Sequence, residues 1–121
     1  MKKLMLLVML VMLCSPAYAL TSFSQGRKTV TTGGTAEAIA PSSRAFTVAE
    51  ICAETDNTGT IVLGEAPIAA LATRQGVPLG AGDCITIRPN VLGYADLANI
   101  KIDTTVNGDG VTFMYFIEEK I

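Results

Sequence analysis

Residues 76–87 read GVPLGAGDCITI, and this stretch decides the fold class of the chain. It places a turn rich in glycine and proline directly before a short run of alternating apolar and polar residues. In that run Ile85 and Ile87 fall on one face and Cys84 falls on the other, which is the two-residue period of a β-strand. Similar pairs of turn and short strand recur on both sides. The pattern predicts a small all-β domain.

The composition is that of one folded domain without a catalytic apparatus. The chain has 121 residues, of which 50% are hydrophobic and 17% are charged, and this excludes a disordered, collagen-like or coiled-coil protein. It contains no histidine, which is the commonest general base and metal ligand. Its serines and cysteines therefore lack the usual activating base, and the two cysteines after residue 19, without a histidine, make a poor zinc site. We expect no enzyme activity, no catalytic residues, no cofactor and no metal.

Residues 1–19 have the pattern of a secretory signal peptide. Lysines at positions 2 and 3 precede an unbroken apolar run over residues 4–13, and Ala17 and Ala19 form an A-x-A cleavage site. A helix over that run rises about 15 Å, half of a hydrocarbon core of roughly 30 Å. We therefore expect cleavage between Ala19 and Leu20, no stable membrane insertion afterwards, and export to the periplasm, the cell surface or the medium. The mature domain would be residues 20–121.

The charge pattern argues against a nucleic-acid partner. The chain has nine Lys and Arg against eleven Asp and Glu, so loss of Lys2 and Lys3 leaves an acidic excess of four. The remaining basic residues are scattered along the chain. A nucleic-acid-binding surface needs a basic patch or stripe, and we expect no DNA or RNA binding.

About seven short runs rich in β-branched and apolar residues predict strands at the spacing of a β-sandwich. They lie at residues 27–32, 36–40, 46–54, 60–64, 83–88, 98–104 and 111–117. The polar residues 20–26 before them fit a flexible or edge-pairing lead-in. The alanine-rich residues 66–74 fit a short helix or a crossover loop. The expected fold is one antiparallel β-sandwich or jelly-roll-like domain, preceded by the signal-peptide helix.

The turn clusters, and the strand faces on which apolar residues fall, add detail to this fold. Asp56–Gly59 would close a hairpin over residues 46–64, and Asn107–Gly110 would close a second hairpin between the last two strands. In the run at 46–54 the apolar residues occupy both even and odd positions and so fall on both faces of a strand. This indicates either a bulge near Glu50 or a strand covered on both faces. The last run is apolar on both faces, so we expect a central strand covered on both sides.

Three groups of residues are candidate sites. Cys52 and Cys84 could form a disulfide in an oxidising compartment, or they could be two unrelated buried thiols. Strand parity places each on the face opposite the core residues, so a bond between neighbouring strands would lie outside the sandwich. The loop at 103–109 resembles the first half of a calcium loop, but Met114 stands where the glutamate ligand belongs, which favours a plain turn. Tyr94, in an irregular connection, is the best aromatic candidate for ligand contact.

A series of turn and strand segments runs through nearly all of the chain after residue 20: Arg27–Val30, Phe46–Val48, Asn57–Gly64, Gly76–Leu79, Gly82–Asp83 and Asp96–Ile100. This succession resembles the small β-sandwich structural proteins of tailed bacteriophages. The resemblance implies a non-enzymatic virion component, such as a capsid decoration or tail-associated subunit, that works through protein partners or self-assembly. Its location would be the virion if the leader is not functional. The alternative is an exported module that binds a carbohydrate or a cell-surface ligand through Tyr94.

Overall fold

The computed structural model describes residues 21–65, 75–90 and 93–118, which form ten β-strands and no helix. The strands are β1 (Thr21–Thr29), β2 (Glu37–Ala38), β3 (Ala45–Phe46), β4 (Val48–Ala53), β5 (Ile61–Glu65), β6 (Val77–Leu79), β7 (Cys84–Ile87), β8 (Ala95–Asp96), β9 (Ile100–Asp103) and β10 (Gly110–Glu118). A first sheet has the order β1-β10-β4-β7 and a second has the order β2-β9-β5-β6, while β3 pairs with β8. All of these pairs are antiparallel. The expected all-β, sandwich-like fold is confirmed, with ten strands in place of about seven.

One hydrophobic core joins the two four-stranded sheets. The first sheet contributes Ala49, Ile51, Ala53, Val111, Phe113 and Tyr115, and the second contributes Ile61, Leu63, Leu79, Ile100 and Ile102. Ile85 and Ile87 of β7 pack against the same cluster. Burial of apolar surface on this scale is the main favourable term in folding. The inward faces predicted for Ile85 and Ile87 and for Ile100 and Ile102 are confirmed.

The apolar residues at 46–54 fall on both strand faces for a reason other than a bulge near Glu50 or a strand covered on both faces. Phe46 is buried at the end of β3, whereas in β4 the buried positions begin at Ala49. Thr47 lies between them, and its N–H and hydroxyl both donate to the carbonyl of Phe116, at 2.8 and 3.1 Å. The chain thus changes strand at Thr47, and there is neither a bulge at Glu50 nor full cover on both faces.

Both predicted hairpins are wrong. β4 and β10 lie in the first sheet, whereas β5 and β9 lie in the second, so the connections after β4 and β9 cross between sheets. Side chains tie these two connections together. The Asn57 side chain exchanges two 2.8 Å hydrogen bonds with the backbone of Gly110, and Asp109 accepts from the N–H groups of Thr58 and Gly59. Long-range bonds of this kind override the local preference for a tight hairpin.

Residues 76–87 also cross between sheets. Val77–Leu79 form β6, which pairs with β5 in the second sheet and was not expected as a strand. The turn that follows leads into β7 of the first sheet, with Gly82 at φ 83°. Gly76 has φ 124°, and a Cβ there would lie 2.5 Å from Cγ1 of Val62. Glycine satisfies both the backbone conformation and the close approach.

β10 lies between β1 and β4, so its central position is confirmed. Its outer face is not covered: Thr112 is exposed and Met114 is 36% exposed. The signal peptide and the candidate helix at 66–74 lie outside the described residues. Across the ranges that the structure describes, no helix is long and apolar enough to cross a bilayer.

Candidate functional site

β1 provides the longest open strand edge in the described structure. It pairs with β10 over nine residues, from Thr21 opposite Glu118 to Thr29 opposite Gly110. Among the strands that the structure describes, none pairs with its other side. The remaining sheet edges are shorter: β2 has two residues, β7 has four, and β6 has three with a proline at its centre. Short strands and prolines protect an edge from added strands, and β1 lacks both features.

The direction of the β1 amides follows from the bonds at its end. The N–H of Val30 donates to the Asp109 carbonyl at 2.9 Å, and the Val30 carbonyl accepts from Gly108 at 3.0 Å. Because amides alternate in direction along an antiparallel strand, the even-numbered residues of β1 face β10. The N–H and C=O groups of residues 21, 23, 25, 27 and 29 therefore point to the open edge. They are the groups that a further strand would use.

A shallow groove of about 510 Å³ runs along the outer face of the first sheet beside β1. Gln25, Arg27, Glu50 and Met114 are among the residues that line it. Arg27 forms a two-contact ion pair with Glu54, in which Nη2 donates to Oε2 at 2.9 Å. This hydrogen bond raises the pKa of Arg27. The Arg27 side chain is 61% exposed, so the pair contributes little to stability, but it holds the Arg27 side chain across β10.

Cys52 and Cys84 are joined by a disulfide bond on this outer face. They are directly opposite in the β4–β7 register, with their Cα atoms 4.0 Å apart. Cys52 is half-buried and Cys84 is exposed. The Glu50 carboxylate lies 3.9 Å from the sulfur of Cys52. These three side chains lie close enough to hold a metal ion together, but metals bind the thiolate, which a bonded sulfur does not provide.

The acidic loop at 103–109 serves as an anchor for neighbouring loops. Asp109 is 5% exposed, and its two oxygens accept from Thr58 at 3.1 Å and from Gly59 at 2.7 Å. Asp103 is 1% exposed and accepts from the N–H groups of Gly34 and Thr104. In the described ranges, every buried polar side-chain atom has a hydrogen-bond partner. Backbone amides thus bond both oxygens of Asp109 and Oδ1 of Asp103, which fixes the loop to its neighbours.

Tyr94 is 57% exposed and directly precedes β8. The adjacent Asp96 fixes this part of the chain, because its carboxylate accepts from the Ser43 hydroxyl and from the N–H groups of Arg44 and Ala98. These bonds lower the pKa of Asp96. The structure therefore presents one outward aromatic ring on an anchored segment. The expected cleavage site at Ala19 and Leu20 lies outside the described residues.

Comparisons with protein families, with curated proteins and with solved structures find no match to this chain. The functional argument therefore depends on the residues and the geometry above.

Proposed function

We propose that the chain is an exported, non-enzymatic structural subunit that assembles through the open edge of β1. The observation that carries the proposal is the nine-residue edge, in a fold whose other described edges are short or interrupted by proline. The sequence resemblance to small bacteriophage β-sandwich subunits supports the same class of function. The buried Asp103 and Asp109 are consistent with it, because their carboxylates hold neighbouring loops together.

The partner that this edge fits best is a second copy of the chain. Adding a strand to a sheet edge supplies affinity through main-chain hydrogen bonds, and a symmetric dimer uses the same surface on both subunits. Antiparallel pairing centred on Gln25 places Arg27 opposite Phe23 and Lys28 opposite Ser22. No two cations are then opposite each other, which avoids a destabilising like-charge pair. Gln25 donates and accepts across the twofold axis, since its backbone groups point outward.

Gln25→Pro tests the assembly mode. Proline removes an N–H that points away from β10, so the β1–β10 ladder keeps all of its bonds, while a partner strand loses a bond and meets the ring. We expect the purified wild-type protein to form dimers or larger species by light scattering, and Gln25→Pro to be a monomer with nearly unchanged thermal unfolding. Gln25→Thr, which keeps the N–H, is the matched control and should assemble. A strictly monomeric wild type, or a Gln25→Pro variant that assembles equally well, contradicts the proposal.

The virion role is a separate part of the proposal and has its own test. Capsid and terminase genes beside the gene for this chain would support it, as would detection of the chain in purified particles by mass spectrometry. Neighbouring genes of another kind, together with absence of the chain from particles, would contradict it.

A second candidate function is binding of a glycan, and the exposure of Tyr94 favours it. An exposed aromatic ring can stack on the apolar face of a sugar, and its hydroxyl can form hydrogen bonds. We expect Tyr94→Ala to abolish binding to any glycan that the wild type retains on an array. Unchanged binding by the variant, or no glycan binding by the wild type, contradicts this candidate.

A further inference from the structure

The disulfide between Cys52 and Cys84 lies outside the hydrophobic core. It crosses from β4 to β7 on the outer face of the first sheet, and β7 is the edge strand there. An open groove of about 570 Å³ adjoins it, and both half-cystines contribute to its lining together with Arg27, Glu54 and Thr112. A small thiol can therefore reach the bond without unfolding of the domain.

The two sulfur atoms are not equally accessible to a nucleophile. A thiolate attacks a disulfide in line with the S–S bond, from the side away from the leaving sulfur. For Cys84 that approach comes from beyond β7, where the described chain has no further strand. For Cys52 the approach crosses β10, where Thr112 is its directly opposed residue and the Arg27 side chain reaches over to Glu54. The exposure of the two residues agrees with this difference in approach, since Cys84 is exposed and Cys52 is half-buried.

We infer that the Cys52–Cys84 bond is a thiol–disulfide exchange site at which an incoming thiolate adds to the sulfur of Cys84. The incoming thiolate belongs to a low-molecular-weight thiol or to a protein dithiol. Its sulfur forms a bond to Cys84 Sγ as the Cys52–Cys84 bond breaks, and the electron pair leaves on Cys52 Sγ, which takes a proton from water. The product is a mixed disulfide on Cys84 and a free thiol on Cys52.

Two routes lead onward from the mixed disulfide. Cys52 can attack Cys84 Sγ, which expels the thiol and restores the original bond. Alternatively, a second thiolate of a dithiol can attack its own bonded sulfur, which releases Cys84 and leaves the protein as a dithiol and the reagent as a disulfide. Either way Cys84 is the site of covalent modification, and it lies on the strand that ends the first sheet.

Reduced glutathione is a suitable probe. The purified protein is incubated with it under native conditions and alkylated with iodoacetamide, and the peptides are mapped by mass spectrometry. We expect glutathione on Cys84 and the alkyl group on Cys52, in an excess on the order of tenfold over the reverse pattern. Equal adducts, an excess on Cys52, or a folded protein that forms no adduct while the urea-unfolded protein does would overturn the inference.

Single variants keep the test decisive if the mixed disulfide is short-lived. Cys52→Ser leaves Cys84 without a thiol that could expel glutathione, and Cys84→Ser leaves Cys52 alone. With glutathione disulfide as the reagent, we expect Cys84 in the first variant to react several times faster than Cys52 in the second, because it is the more exposed sulfur. Reaction of Cys52 at the same rate or faster overturns the inference. Circular dichroism confirms that both variants are folded before their rates are compared.

Discussion

Replacing Asp109 with alanine removes the carboxylate that holds the connection after β4 against the start of β10. In the native fold this side chain is 5% exposed and accepts from the N–H of Thr58 at 3.1 Å and of Gly59 at 2.7 Å. Truncation leaves both amides without their acceptor at a part-buried position. The backbone bonds of residue 109 itself, to Val30 and Val106, do not depend on the side chain.

The expected loss follows from these two amides. An unsatisfied buried donor costs about 1–3 kcal/mol, so Asp109→Ala should lower the free energy of unfolding by about 2–5 kcal/mol. That is a large part of the 5–15 kcal/mol that is typical of a domain. A domain of this size loses roughly 4–8 °C in Tm per kcal/mol, so we expect Tm to fall by about 8–40 °C. Asp109→Asn keeps one acceptor oxygen and should lose about half as much free energy.

Urea unfolding followed by circular dichroism measures the loss. The matched control is Asp83→Ala, because Asp83 also caps a backbone amide, that of Gly80 at 3.0 Å, but is exposed. Water can replace that bond, so the control should lose less than about 1 kcal/mol. The reasoning is refuted if the two alanine variants lose the same free energy, or if Asp109→Ala loses less than about 1 kcal/mol.

Gly76→Ala should destabilise the protein by about 3 kcal/mol or more, and Gly108→Ala by about 1–2 kcal/mol. Both glycines have positive φ, but only at Gly76 would a Cβ lie 2.5 Å from another side chain. Equal shifts in Tm would contradict this. Removing the disulfide with Cys52→Ala and Cys84→Ala should lower the free energy of unfolding by about 3–4 kcal/mol, since the residues are 32 apart in sequence; an unchanged urea midpoint would count against it. Glu37 accepts hydrogen bonds from Lys28 and from two backbone amides, and these bonds lower its pKa below 4.5. The stabilisation from the ionised Glu37 is therefore complete above pH 4.5 and is lost as the pH falls through the folded-state pKa. The unfolding free energy of the wild type should therefore fall more steeply with acidification than that of Glu37→Gln, and parallel curves would exclude the effect. The intact mass of the exported protein should correspond to a chain that begins at Leu20, and an uncleaved mass would contradict export by a cleaved leader.

The alternation of side chains was sufficient to predict the core of this fold. Ile85 and Ile87, and likewise Ile100 and Ile102, share one face in the sequence and pack into the same cluster in the structure. The same parity argument placed Cys84 on the opposite face, where the structure has the disulfide. These predictions depend only on the pleat of a single strand, which is a local property.

Strand pairing was harder to predict, because it depends on distant residues. The sequence at Asn107–Gly110 is a strong hairpin signal. In the structure, however, Asn107 accepts from Gly33 and Asp109 accepts from Gly59, and the turn connects one sheet to the other. β1 gave a weak strand signal because serine, glutamine and glycine have low β-propensity. It forms because β10 provides a nine-residue partner. Edge pairing was one of the two alternatives expected for residues 20–26, but the length of the open edge follows only from the pairing with β10.

Amide hydrogen exchange in β1 tests the proposed assembly most directly. Residue-resolved exchange by NMR compares the amides of residues 24, 26 and 28, which face β10, with those of residues 23, 25 and 27, which face the open edge. We predict that the first set is protected at every protein concentration, whereas the second set is protected in concentrated protein and exchanges rapidly after dilution. Rapid exchange of the second set at all concentrations, in a protein whose first set stays protected, would contradict assembly through β1.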